Sequence, residues 1–167
     1  GLHTIGEQGE HLIDRERCAR CFACSESCVG ALEAAGKEMS VEEVLTEVLK
    51  DNAFYQNSGG GMTLSGGEPL MQWNFVRAVI DRLPGIHTAI ETSGYAPDNI
   101  FEDAMASCSL IMLDWKVSDP ALHKRYTGVD QARILRHAQM LAGGAAPFIL
   151  RMPIIPGVND NRAHFET

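Results

Sequence analysis

Four of the chain's five cysteines, Cys18, Cys21, Cys24 and Cys28, lie within eleven residues, in the run RCARCFACSESCVG at 17–30. Thiolates spaced x2, x2 and x3 suit iron–sulfur ligation, and bacterial ferredoxins use the same intervals. Structural zinc usually draws its ligands from two pairs a dozen or more residues apart, so a compact run suits it poorly. Disulfides belong to oxidising compartments, and no charged start followed by an apolar core reads as a secretory signal. All four cysteines are therefore expected to be metal ligands. The fifth, Cys108, precedes an apolar run and reads as a core thiol rather than a remote ligand.

A second set of polar residues closes four short apolar runs: LSGGEP at 64–69, IETSG at 90–94, LDWK at 113–116 and RMPIIPG at 151–157. Gly66 and Gly67 would let a ligand touch the backbone, and the Glu68 carboxylate could pair with an ammonium group. Glu91, Thr92 and Ser93 add oxygen atoms. Asp114 and Lys116 are two apart, so in a strand they face one side, where they could grip a hydroxyl and a carboxylate. Each segment alone has an ordinary reading: a turn into a helix, a polar loop, a strand-end ion pair. Four in succession carry more weight.

The elements that would position these groups follow from periodicity. Ser40 and Glu43 have capping-box spacing before Val41, Val44, Leu45, Val48 and Leu49, one helical face. A glycine run at 59–61 ends that pattern. Apolar runs at 62–64, 88–90, 110–113 and 148–150 then alternate with helical stripes. The first stripe, Phe75, Val76, Val79, Ile80 and Leu83, stops at Pro84-Gly85. The second, Ile100, Phe101, Ala104 and Met105, would start with Pro97 as its first helical residue. The third, Ile134, Leu135, Ala138 and Leu141, ends at Gly143-Gly144. Alternation of this kind predicts an α/β fold with a parallel sheet, whose functional residues collect at the C-terminal ends of strands.

Composition narrows the partners. At 167 residues and 45% apolar content the chain reads as globular, and no apolar run reaches the ~20 residues of a membrane span. A net charge of −8 without a basic cluster argues against nucleic acid. Cytoplasmic location is the expectation. The expected division is a cysteine-bearing segment at 1–37 and the α/β part at 38–167.

Across MSVEEVLTEVLKDNAFYQNSGGGMTLSGGEPLMQ (39–72), ETSGYA (91–96), LDWKVSDPALHKRYTGV (113–129) and LRMPIIPGVND (150–160), the chain resembles the activating enzymes of glycyl-radical enzymes, within the radical SAM superfamily. The resemblance implies a partial (β/α) radical SAM barrel, about strands two to five of six, with a small ferredoxin-like insertion. It implies that the strand ends bind S-adenosylmethionine (SAM). Gly66, Gly67 and Glu68 would hold its amino group. Glu91, Thr92 and Ser93 would lie near its carboxylate or ribose, with a monovalent cation close by. Asp114, Trp115 and Lys116 would face the ribose and methionine end, and Arg151 would sit beside them. The motif usually has a smaller aliphatic residue than Trp115, and His123 would help shape the site or partner surface. In the family a [4Fe–4S] cluster gives SAM one electron, and the resulting 5′-deoxyadenosyl radical takes hydrogen from a glycine Cα of a partner enzyme. A flavodoxin or ferredoxin-type protein would donate the electron.

The superfamily holds its catalytic cluster with C-x3-C-x2-C, and the 167 residues contain no such run. The chain is thus expected to be a fragment, with Gly1-Leu2 matching residues just beyond those cysteines and exposed sheet edges at 62–64 and 148–150. Its own cysteines would hold one auxiliary [4Fe–4S] cluster, although Val29 stands where the ferredoxin pattern has proline. Two alternatives remain open: a ferredoxin-like electron-transfer module on a degenerate barrel, and a phosphate-binding enzyme using the 59–61 glycines. The 167-residue chain on its own is expected to produce no 5′-deoxyadenosine from SAM when reconstituted and reduced with dithionite. Chromatographic detection of that product would overturn the expectation.

Overall fold

A computed structural model describes residues 2–28 and 30–166. The Val29 departure and the match at Gly1 fall outside them. The chain forms two compact units, Gly1–Met39 and Ser40–Thr167. No helix among the described residues is long and apolar enough to cross a membrane.

The first unit opens with an antiparallel hairpin, β1 (His3–Ile5) and β2 (His11–Ile13), in which Thr4 pairs with Leu12. The sequence pattern is silent here because each strand has three residues, too few to show an alternation. The cysteine run carries a short helix, α1 (Ala23–Ser27).

The second unit begins at α2 (Val41–Val48), where the capping box forms as read. Ser40 Oγ accepts from the Glu43 N–H at 3.2 Å, and the Glu43 carboxylate accepts from the Ser40 N–H at 2.7 Å. A 3₁₀ turn at Leu49–Asp51 leads into α3 (Asn52–Ser58), which stops at Gly59 in the left-handed region, φ 66°. Then come β3 (Gly61–Leu64), a 3₁₀ turn at Pro69–Gln72, α4 (Trp73–Ile80), β4 (His87–Thr92) and α5 (Asp98–Ser107). The chain continues through β5 (Leu110–Asp114), α6 (Pro120–Thr127), α7 (Ala132–Ala142), β6 (Phe148–Arg151) and α8 (Arg162–Phe165).

Strands β3 to β6 form one parallel sheet in sequence order, as the alternation predicts. The two central strands place Ile90, Ile111 and Leu113 in the core, against Phe101 from α5 and Leu141 from α7. Cys108 is buried in the same cluster, the core thiol expected, and burial pushes it up to about 12. Of the two edges expected to be exposed, β6 shows Phe148, Ile149 and Leu150 exposed, whereas Met62 and Leu64 of β3 are half-buried against the core. Gly61 pairs with His87 at the start of β3, and a Cβ there would stand 1.7 Å from the His87 carbonyl oxygen. That close approach explains the end of the glycine run.

Two details differ from the sequence reading. Pro97 is the N-cap of α5, with extended ψ of 142°, and the helix starts at Asp98. Leu135 belongs to the α7 stripe by spacing yet is exposed. α6 escapes periodicity because the one residue it buries is a histidine, His123. Its ends are nonetheless written in the sequence: Asp119 accepts from the Leu122 N–H at 2.8 Å, Pro120 follows, and Gly128 closes the helix.

Candidate functional site

Parallel pairing in register brings the C-terminal ends of four strands to one edge of the sheet. A cavity of ≈ 380 Å3 opens there, lined by nine of the ten expected positions together with Ser65. The exception is Trp115. Asp114 and Lys116 both face the cavity, so the residue between them turns away. Its indole is buried and donates to Ser118 Oγ at 2.9 Å.

On the β3 side, Gly66 has φ of 109°, and a Cβ built on Gly66 or Gly67 would meet no other atom within 4 Å. The glycines therefore leave open space beside Glu68. The Glu68 carboxylate is the best-bonded group of the site. Its Oε1 accepts from Thr92 Oγ1 at 2.6 Å and from the Leu70 N–H at 3.2 Å. Its Oε2 accepts from the Ser93 N–H at 2.9 Å and from Ser93 Oγ at 2.6 Å. Four donors match the roughly four lone pairs of a carboxylate. The three from Thr92 and Ser93 stitch the turn after β3 to the end of β4.

Across the rest of the edge runs a row of charges. Ser65 Oγ donates to Glu91 at 2.6 Å, and Arg151 donates to the other Glu91 oxygen at 2.6 Å. Arg151 also donates to Asp114 Oδ1 at 2.8 Å, while Lys116 Nζ lies 2.7 Å from Asp114 Oδ2. From β6, Arg151 thus reaches over β5 to a carboxylate on β4. Its guanidinium lies between Glu91 and Asp114. In the cavity three carboxylates face two cations, an excess of one negative charge. Ser65 was missed as a site residue, although its place as the first polar residue after an apolar run was signal enough.

The hydrogen bonds set the ionisation. Ser65, and then Arg151, hold Glu91 below the usual carboxylate range. Burial pushes Asp114 up, but Lys116 and Arg151 outweigh it and its net shift is downward. Arg151 is raised, chiefly by its bond to Asp114.

The other candidates lie elsewhere. His123 is buried against the Thr127 hydroxyl and the Val129 carbonyl and does not line the cavity. The 59–61 glycines sit at the N-terminal end of β3, away from this edge. In the first unit, Cys18 and Cys24 line a cavity of ≈ 350 Å3 that Cys21 and Cys28 do not. All four thiols are free, and the Arg20 N–H points at Cys18 Sγ at 3.4 Å. Among the described residues no three His, Cys, Asp or Glu side chains stand together as a metal-ligand set.

Because Glu91 and Asp114 titrate lower in the folded chain than in the unfolded one, their stabilisation is full above the ordinary carboxylate range and is lost as pH falls through their folded values. Denaturant unfolding between about pH 7 and about pH 3 is expected to show stability falling with pH. Asp98, paired with Arg136, and Glu42, paired with Arg82, are lowered too. The site's share is therefore the difference between wild type and a Glu91→Gln, Asp114→Asn double variant, which should shrink on acidification. A difference independent of pH would refute the assignment.

Comparison with known proteins points the same way. Residues 15–166 match the radical SAM superfamily. The chain is 41% identical over 158 residues to the (2S)-3-sulfopropanediol dehydratase activating enzyme of Klebsiella oxytoca, covering 93% of this chain and 50% of that protein. It is 41% identical over 167 residues to the isethionate sulfite-lyase activating enzyme of Desulfovibrio desulfuricans, covering 96% and 54%. The chain thus spans about half the length of these curated relatives. A crystal structure of a domain of pyruvate-formate lyase-activating enzyme from Bacteroides vulgatus superposes with a TM-score of 0.59 at 31% identity, over 64% of this chain and 68% of that one. The four-stranded parallel sheet is consistent with part of a radical SAM barrel. The chain belongs to the radical SAM superfamily, and the relatives it matches there are activating enzymes of the kind its sequence resembles.

Proposed function

We propose that this chain supplies the SAM-holding strand ends of an activating enzyme whose protein substrate is a glycyl-radical enzyme. One observation carries the reading: residues from four separate strand ends, expected from short sequence segments, converge on one cavity. The activating-enzyme names of the relatives support the protein-substrate part. Bound there, SAM together with a reduced [4Fe–4S] cluster would supply one-electron chemistry directed at a glycine Cα–H.

The chain's own residues would bind and orient. The excess negative charge suits a molecule with a sulfonium, an ammonium and one carboxylate. Gly66 and Gly67 leave room for its methionine end. Glu68 would take the ammonium, because the Ser93 hydroxyl proton can rotate away and free an acceptor position while Thr92 and the Ser93 N–H keep the carboxylate aimed. Lys116 and Arg151 offer donors to the carboxylate, and Glu91 and Asp114 offer acceptors to ribose hydroxyls. The four free thiols at 18–28 suit an auxiliary cluster chemically, fed by a flavodoxin or ferredoxin-type donor.

Equilibrium dialysis against SAM is expected to show saturable binding by the chain, weakened about tenfold or more in Asp114→Asn, which loses charge-assisted bonds to both Lys116 and Arg151. No saturable binding by the wild type would favour the electron-transfer module on a degenerate barrel. Anaerobic reconstitution is expected to load about four irons per chain, fewer in Cys18→Ala and Cys24→Ala. Zinc in the isolated protein, or iron well below that figure, would overturn the cluster assignment.

A further inference from the structure

We infer that His137 is a positioning residue for the strand-end cavity, acting from α7 through the turn that follows β4; the inference rests on the reading of that cavity as a SAM site. His137 is fully buried on a helix face that otherwise carries Ile134 and Leu141. An imidazole in such surroundings is costly unless its nitrogens are partnered. Its Nδ1 stands 2.8 Å from the Gly94 carbonyl oxygen, which can only accept, so Nδ1 carries the proton and donates. Its Nε2 stands 3.2 Å from Asp98 Oδ1, a contact that is a hydrogen bond when Nε2 carries a proton as well. Asp98 is in turn held by Arg136 through bonds of 3.1 and 3.0 Å. The ring lies flat on Phe101, with centroids 4.1 Å apart and planes inclined by 3°. Position and orientation of the imidazole are thereby set from three sides.

What the imidazole holds is a glycine with little freedom to be anything else. Gly94 has φ of 72°, and a Cβ there would come within 2.6 Å of Leu113 Cδ1. Its N–H donates to Thr92 Oγ1 at 2.9 Å. Thr92 Oγ1 donates onward to Glu68 at 2.6 Å, and the neighbouring Ser93 gives Glu68 its N–H and its hydroxyl. Hydrogen bonds linked through the Gly94 backbone therefore join α7 to the carboxylate of the cavity: His137 to the Gly94 carbonyl, the Gly94 N–H to Thr92, Thr92 to Glu68. Packing alone would be served by any flat ring stacked on Phe101. The donor at Nδ1 is what anchors the Gly94 carbonyl, and through the confined Gly94 backbone the aim of Thr92 and Ser93.

Three substitutions in the whole chain separate these roles. His137→Asn places its Nδ2 where Nδ1 stands and keeps the donation to Gly94, while giving up Asp98. His137→Gln reaches toward Asp98 and gives up Gly94. His137→Phe keeps the stack alone. SAM affinity is expected to stay within about twofold of wild type in His137→Asn and to fall about tenfold in the other two. Amide hydrogen exchange over residues 92–95, read without SAM, should stay slow in His137→Asn and quicken in His137→Gln. If His137→Phe fails to melt cooperatively, the Asn and Gln pair decides alone. Equal affinity and equal exchange in Asn and Gln would overturn the role of His137. A wild type that binds no SAM would sink the reading of the cavity instead, and the exchange contrast would still decide whether His137 holds the turn.

Discussion

Three carboxylates crowd the C-terminal edge of one small parallel sheet, and the site depends on what stands between them. Like charges on neighbouring strand ends repel, and burial would normally push such groups toward their neutral forms. Here Arg151 bridges Glu91 and Asp114, Lys116 takes the other oxygen of Asp114, and Glu68 is surrounded by hydroxyl and amide donors. Glu91 and Asp114 are held ionised as a result, with their partners exposed enough to exchange a bond for a ligand. This arrangement requires the strands to be parallel and in register, because only then do turns that are dozens of residues apart share one edge. The apolar core beneath, with Ile90, Ile111 and Leu113 fully buried, keeps that register from slipping by a residue.

Much of this was readable before the fold was known, for identifiable reasons. Strands buried on both faces leave short apolar runs, and their ends are marked by the first polar or glycine residue. The rule that parallel sheets work at their C-terminal ends then selected nearly the whole cavity lining. The parity of a strand also held the answer for Trp115: if Asp114 and Lys116 share a side, the residue between them does not. The glycine run at 59–61 could be separated from the site once it was known to start β3 rather than follow it.

The unread parts share a different cause. The β1–β2 hairpin is built from strands of three residues, α6 buries a histidine where a periodicity scan looks for a hydrocarbon, and α3 follows α2 through a 3₁₀ turn without a break in composition. None of these leaves a repeating apolar signal. His137 leaves no such signal either, being one polar residue on an otherwise apolar face of α7. Its bonds are indeed local to the core, but one of them ends on the turn that serves Glu68. Nor could local pattern show that Arg151 reaches two strands away, since that contact comes from strand order.

The placement of Arg151 at a strand end gives the site a further property. Arg151 is the last residue of β6, in which Phe148, Ile149 and Leu150 are exposed in this 167-residue chain. Fraying of that strand would withdraw the guanidinium from between Glu91 and Asp114 and restore their mutual repulsion. A ligand that engages the guanidinium must then oppose fraying by the same free energy with which an ordered β6 favours the ligand. Occupancy of the cavity and order of β6 are in this way two readings of one coupled equilibrium.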